Sequence, residues 1–216
     1  MLRTLYLIFC LLGFLPVTTV VMANETPPAA RDSPTLLIWG DSLSAAYGIP
    51  VEKGWVNLLQ EKLEDKYRVV NGSISGETSA GGLTRLPDAI KTHQPAYLLL
   101  ELGANDGLRG IDLPTMRSNL EQMVKLAQEA KAQVILIGIK LPPNYGTTFT
   151  DKFEAIYAEL AKQYALPIVP FLLEGVAEDW DLMQADGLHP TAEAQPQVLE
   201  NVWKVLKDII LLNSPA

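Results

Sequence analysis

The sequence predicts an α/β fold, a five-stranded parallel sheet with helices covering both faces. From Leu36 onward, short apolar runs alternate with longer segments of helical periodicity. That is the pattern of buried strands joined by helical crossovers. Three of the apolar runs end in polar, glycine-containing loops at 40–43, 71–76 and 103–106. A parallel sheet gathers such loops along its carboxyl edge, where ligands of these folds bind.

Each element has its own signal. Thr35 to Trp39 is a short apolar run suited to a strand buried on both faces. From Gly54 to Asp65, the residues Trp55, Leu58, Leu59 and Leu63 recur at helical spacing. Tyr67 to Asn71 reads as the second strand. Ser79 to His93 reads as a helix with Leu83, Leu86 and Ile90 on one face. Tyr97 to Leu102 and Val134 to Ile139 are the third and fourth strands, separated by a helix from Pro114 to Lys131. A further helix covers about 150–164, and Leu166 to Val169 supplies the fifth strand. The last helix carries Val198, Leu199, Val202, Val205, Leu206, Ile209 and Ile210 on one stripe.

The N-terminus departs from this pattern. Arg3 precedes a nearly unbroken apolar run from Leu5 to Val21, and Val21-Met22-Ala23 offers a cleavage site after Ala23. Residues 1–23 therefore read as a secretory signal peptide, 24–34 as a loose, proline-rich leader and 35–216 as one domain. The other reading of the run is an uncleaved anchor, for which it is short. Cys10 is the only cysteine and lies within this run, so the mature chain would have no disulfide and no cysteine site. No later stretch approaches the roughly 18 apolar residues of a membrane span.

Composition narrows the function classes. The 216 residues are 48% hydrophobic and 19% charged, with a net charge of −8. Cleavage after Ala23 removes Arg3 and no acid, which takes the charge to −9. Nucleic-acid binding is not expected of so acidic a chain, since phosphate backbones require a basic patch.

The first polar loop holds Asp41-Ser42-Leu43-Ser44. Ser42 is either an ordinary turn residue or a nucleophile at the end of a central strand. A serine nucleophile needs a base, and the base an orienting group. The chain has only two histidines. His93 closes a helix in a polar setting and reads as a solvated helix-end group. His189 lies in Asp186-Gly187-Leu188-His189-Pro190. There Asp186 can accept a hydrogen bond from the Nδ1–H and leave Nε2 facing outward, although a residue merely opening a helix beside Pro190 fits the same string. Acyl transfer also requires donors for an oxyanion. The Ser42 N–H, Gly76 in Ser73-Ile74-Ser75-Gly76-Glu77 and the Asn105 amide in Gly103-Ala104-Asn105-Asp106 are candidates. Gly76 and Asn105 could equally be turn residues.

Ser42, Gly76, Asn105 and His189, in that order and each in a loop, make the chain resemble the SGNH hydrolases, the GDSL esterase/lipase family. The stretches "NGSISGETSAGGLTRLP", "HQPAYLLLELGANDGLRG" and "IKLPPNYG" are similar to its bacterial periplasmic thioesterase I/protease I/lysophospholipase branch. The resemblance spans nearly everything after Thr35. It implies a flavodoxin-like, three-layer α/β/α fold. It implies Ser42 as nucleophile, His189 as base and Asp186 as orienter, with Ser42 N–H, Gly76 N–H and the Asn105 side chain as oxyanion hole. No metal or organic cofactor is then required.

On this resemblance the chain is expected to be a serine hydrolase of acyl esters and thioesters. Its substrates would be small acyl esters, thioesters or lysophospholipids in the periplasm or outside the cell. Fatty acyl substrates call for an apolar groove. The loops 107–111 and 141–146 supply candidate lining in Leu108, Leu141 and Tyr145, unless they are plain surface loops. Two rival readings remain: a carbohydrate deacetylase of the same superfamily, and a flavodoxin-like binding module without catalysis. The chain has neither G-x-x-x-x-G-K-[ST] nor a G-x-G-x-x-G after its first strand, which weighs against the module.

Overall fold

The computed structural model describes residues 33–212. Residues 1–23, expected to be a signal peptide and including Cys10, lie outside the described residues, as does most of the expected leader. Five parallel strands form one sheet in the order β2-β1-β3-β4-β5. They are β1 (Thr35–Gly40), β2 (Arg68–Asn71), β3 (Tyr97–Glu101), β4 (Gln133–Ile137) and β5 (Ile168–Val169). The helices are α1 (Trp55–Leu63), α2 (Ser79–His93), α3 (Ala104–Leu108), α4 (Leu113–Glu129), α5 (Thr147–Gln163) and α6 (Gln195–Leu212). Ser33 and Pro34 already bond to the domain: the Ser33 hydroxyl donates to the Asp65 carbonyl and the Arg68 N–H to the Pro34 carbonyl.

Strand alternation builds the three layers. Leu36 and Ile38 of β1, Leu99 of β3 and Ile135 of β4 face one core, shared with Trp55 and Leu59 of α1 and Val198 and Val202 of α6. Their neighbours Leu37, Leu98 and Leu136 face the opposite core, shared with Leu86 of α2, Leu120 of α4 and Phe153 of α5. Because successive side chains point to opposite faces, central strands must be apolar at every position. Leu36, Leu37, Leu98 and Leu99 are all fully buried. Each contributes about 1.5–3 kcal/mol relative to exposure.

Capping residues set the helix starts. The Thr78 hydroxyl accepts from the Gly81 N–H before α2, and the Asp112 carboxylate from the Thr115 N–H before α4, where Pro114 occupies the first turn.

Two expectations change. The fifth strand shortens to Ile168–Val169, because Pro167 and Pro170 lack the N–H a ladder needs. The 103–106 segment is not a plain loop: Ala104–Leu108 forms the short helix α3. Five residues are too few for hydrophobic periodicity to register.

Strand order turns around β1, with β2 on one side and β3 on the other. Connections leave the carboxyl ends of β1 and β3 toward opposite faces, and the crevice between them is where a site is built in such sheets.

Candidate active site

Ser42 follows β1 by two residues, in a tight turn rather than a helix. The turn is held by its own backbone: the Ala45 N–H donates to the Asp41 carbonyl (3.0 Å) and the Tyr47 N–H to the Ser42 carbonyl (3.2 Å). The Asp41 carboxylate caps it from within by accepting the Leu43 N–H at 3.0 Å.

His189 approaches from the other end of the chain. Its strand-like loop is pinned by an isolated antiparallel bridge between Met183 and Pro190 and by the Gln184 N–H donating to the His189 carbonyl at 2.7 Å. The Gln184 side-chain amide donates to the Tyr47 carbonyl (2.8 Å) and to the Pro190 carbonyl (2.9 Å). Gln184 thereby ties the histidine loop to the serine turn.

The resulting contacts are short. His189 Nε2 lies 2.8 Å from Ser42 Oγ, and His189 Nδ1 lies 2.7 Å from Asp186 Oδ2. The other Asp186 oxygen accepts the Leu188 N–H (2.9 Å) and the His189 N–H (3.1 Å). Burial works against the Asp186 charge, but the hydrogen bonds from Leu188 and His189 outweigh it and hold this carboxyl below its usual range. An ionised Asp186 fixes the proton on Nδ1, which leaves Nε2 to accept the Ser42 proton. The Tyr47 ring packs on the imidazole with centroids 4.5 Å apart.

The oxyanion candidates come from two further elements. Gly76 is the third residue of a turn closed by the Glu77 N–H on the Ile74 carbonyl (3.0 Å). Its φ of +80° explains why glycine stands there. Arg109 holds the same residue by donating to the Gly76 carbonyl at 2.9 Å. Asn105 stands in the first turn of α3, and its Nδ2 donates to Asp41 Oδ2 at 3.1 Å. One amide hydrogen is thus committed to Asp41, and the second remains for a ligand.

Ser42, Gly76, Asn105 and His189 line one cavity of about 270 Å³. Its other walls are mostly apolar and include Leu108, Ile139, Leu141, Phe171, Leu172 and Leu188. Of the three residues the sequence offered as groove lining, Leu108 and Leu141 line this cavity. Tyr145 does not: the residue is 40% exposed outside this lining, and its hydroxyl donates to the Leu108 carbonyl at 3.3 Å. His93 ends α2 and takes no part in the cavity.

Sequence reasoning misses Asp41, Gln184, Tyr47 and the apolar wall from Ile139, Phe171 and Leu172. Asp41 is visible beside Ser42, but its bond to Asn105 spans 64 residues. Among the described residues, no group of three or more histidine, cysteine, aspartate or glutamate side chains could hold a metal ion.

A hydroxyl bonded to an imidazole, itself bonded to a carboxylate, beside three N–H donors in an apolar cavity, suits nucleophilic acyl transfer. Comparison with known proteins agrees with that chemistry. The GDSL-like lipase/acylhydrolase family model matches residues 38–195. The chain is 50% identical over 179 residues to the esterase TesA of Pseudomonas aeruginosa, covering 82% of this chain and 89% of that one. It is 44% identical over 182 residues to the thioesterase 1/protease 1/lysophospholipase L1 of Escherichia coli, covering 84% and 86%. A crystal structure of TesA superposes with a TM-score of 0.78 at 51% identity, covering 81% of this chain and 98% of that one. The chain belongs to the GDSL-like lipase/acylhydrolase family, the SGNH hydrolases, and is an ester hydrolase.

Proposed function

We propose that this hydrolase cleaves acyl esters and thioesters, lysophospholipids among them, through a Ser42–His189–Asp186 triad and a covalent acyl-enzyme. The observation that carries the reading is the unbroken line of contacts Ser42 Oγ, His189 Nε2, His189 Nδ1 and Asp186 Oδ2. Ser42 Oγ bonds to the acyl carbon while its proton passes to Nε2. The tetrahedral oxyanion takes hydrogen bonds from the Ser42 N–H, the Gly76 N–H and the free Asn105 amide hydrogen. Collapse breaks the bond to the alcohol or thiol, which leaves with the Nε2 proton. Water then repeats the sequence: Nε2 takes its proton, its oxygen bonds to the acyl carbon, and the acid departs as Ser42 regains its hydrogen.

The apolar walls favour a hydrocarbon chain over a sugar. At about 270 Å³ the cavity lies near the lower end of ligand sites, about 300–1,000 Å³, which suits a short or medium acyl chain. The apolar run from Leu5 to Val21 and the Val21-Met22-Ala23 cleavage string support export to the periplasm or beyond. No described helix is long and apolar enough to cross a membrane.

The test is a panel of p-nitrophenyl esters, acyl thioesters, lysophospholipids and an acetylated sugar, together with labelling by a phosphonate that attacks activated serines. Turnover of the acyl substrates with the adduct mapped to Ser42 is the expected result. An adduct on Ser44, Ser73, Ser75 or Ser79 would refute the assignment, and preference for the acetylated sugar would make the enzyme a deacetylase.

A further inference from the structure

A carboxyl group that takes no part in proton transfer lies directly under the nucleophile turn. Glu101 ends β3, pairs in register with Gly40 of β1 and is fully buried. Its Oε2 accepts the Asp41 N–H at 3.2 Å and the Ser44 hydroxyl at 2.7 Å. Its Oε1 has no protein partner. One carboxyl oxygen therefore grips the residue just before Ser42 and the residue two after it.

Gly40 makes room for this grip. A Cβ at residue 40 would stand 2.4 Å from Glu101 Oε2 and 2.9 Å from Ser44 Oγ. No side chain fits there while the carboxyl stays in place. The glycine that opens Gly40-Asp41-Ser42 is thus explained by what passes beneath it, since its φ is not among the positive ones.

The grip reaches both ends of the oxyanion site. Asp41, held at its N–H by Glu101, holds Leu43 with Oδ1 and Asn105 with Oδ2. Burial, and then the charge of Asp41, push the Glu101 carboxyl well above its ordinary range, while burial raises Asp41 only to about 6. Two buried carboxyls this close, each pushed upward, disfavour ionisation of both at once. What Glu101 contributes to the turn is an acceptor oxygen in a fixed place.

We propose that Glu101 is a positioning residue of the oxyanion hole: from beneath Gly40 it fixes the Asp41–Ser44 turn, and through Asp41 it fixes the Asn105 amide, so that the Ser42 and Asn105 donors converge on one point. This rests on the roles of Ser42 and Asn105 proposed above. Misplacing such donors by about 1 Å costs on the order of 100-fold in rate, whereas a purely structural Glu101 would change the amount of folded enzyme and nothing else.

The test compares Glu101→Leu, which removes the acceptor at similar volume, with Glu101→Gln, which retains an acceptor oxygen and no charge. Glu101→Leu lowers kcat per folded molecule about 100-fold with KM within about twofold, and Glu101→Gln restores most of it. Placed in an Asn105→Ala background, Glu101→Leu costs less than it does alone, because one of the two donors it positions is gone. Should Glu101→Leu fail to fold, Ser44→Ala removes one of the two gripped groups and still lowers kcat about 3- to 10-fold, a fraction of one lost donor. Parent-like kcat in Glu101→Leu or Ser44→Ala, or full additivity with Asn105→Ala, overturns the proposal. Ser42→Ala, run alongside, keeps the two readings apart. If it remains active, the nucleophile assignment itself has failed. If it is dead while Glu101→Leu turns over normally, only the positioning role has.

Discussion

Two carboxyl groups flank Ser42, and the fold treats them in opposite ways. Asp186 stands on a loop with 39% of its side chain exposed. Hydrogen bonds from Leu188 and His189 keep it ionised despite partial burial. Glu101 lies in the sheet, fully buried, where burial and the neighbouring Asp41 push its carboxyl well above its usual range. The difference matches the roles proposed for the two groups. A group that stabilises a transient imidazolium has to be charged, and a charge is kept most cheaply near water with several donors around it. A group that only holds a backbone turn needs an acceptor oxygen and a rigid site. The sheet interior supplies rigidity, and the neutral form avoids the cost of a second buried charge.

The largest effects belong to the exposed side of this comparison. Ser42→Ala and His189→Ala should each lower kcat by about a million-fold, the scale seen when such a serine or histidine is lost. Both should leave the melting temperature close to the parent's, because Ser42 and His189 are only partly buried. Asp186→Asn should lower kcat less, by about 10,000-fold, through the wrong tautomer of His189. Steady-state kinetics on the three variants decides this. An Asp186→Asn enzyme within tenfold of the parent would mean that the Gln184 staples alone orient His189.

Asn105→Ala comes next. It removes a single oxyanion donor, so kcat should fall about 100- to 1,000-fold. KM should change little, since the oxyanion forms only near the transition state. It also leaves Asp41 Oδ2 without its amide partner, so a modest loss of melting temperature should accompany it. Normal kcat with a lowered melting temperature would make Asn105 a turn residue and nothing more.

The two carboxyl groups also differ in how readable they are from the sequence. Asp186 and His189 lie three residues apart, so their contact is a local matter that one turn can guarantee. Ser42 can be singled out because an apolar strand ends in a small polar turn. The Glu101 grip spans 60 residues to Asp41 and 57 to Ser44. It exists only because β1 pairs with β3 in a register that sets Gly40 beside Glu101. Periodicity identifies both strands but not their neighbours in the sheet. The apolar wall is hidden for the same reason: Ile139 and Phe171 come after different strands and meet only at the carboxyl edge. Tyr145 shows the opposite error. Its neighbours Leu141 and Pro142 line the cavity, but Tyr145 does not; its hydroxyl instead donates to the Leu108 carbonyl, 37 residues away, a bond of which the sequence carries no sign.

The smallest expected effect separates the two groups by pH rather than by rate. Asp186 has a lowered pKa in the folded state, so the unfolded chain binds more protons there at low pH. Its stabilising contribution is present above pH ~4, near the ordinary aspartate value, and is lost as pH falls. Glu101 has a raised pKa in the folded state, so the native state binds the extra proton. Its contribution is present below the ordinary glutamate value, about 4.3, and declines as pH rises above it. Other groups titrate over the same range, so the informative quantity is the difference in melting temperature between each variant and the parent. For Glu101→Gln that difference should shift in favour of the variant as pH rises from about 4 to 8, because the parent must hold a proton that solvent increasingly withdraws. For Asp186→Asn it should shift against the variant as pH rises through about 4 and stay level above that. Thermal melts across this range distinguish the cases. Parallel curves for Glu101→Gln and the parent would mean that Glu101 titrates as it does in the unfolded chain, and the contrast between a charged surface carboxylate and a neutral buried one would be lost.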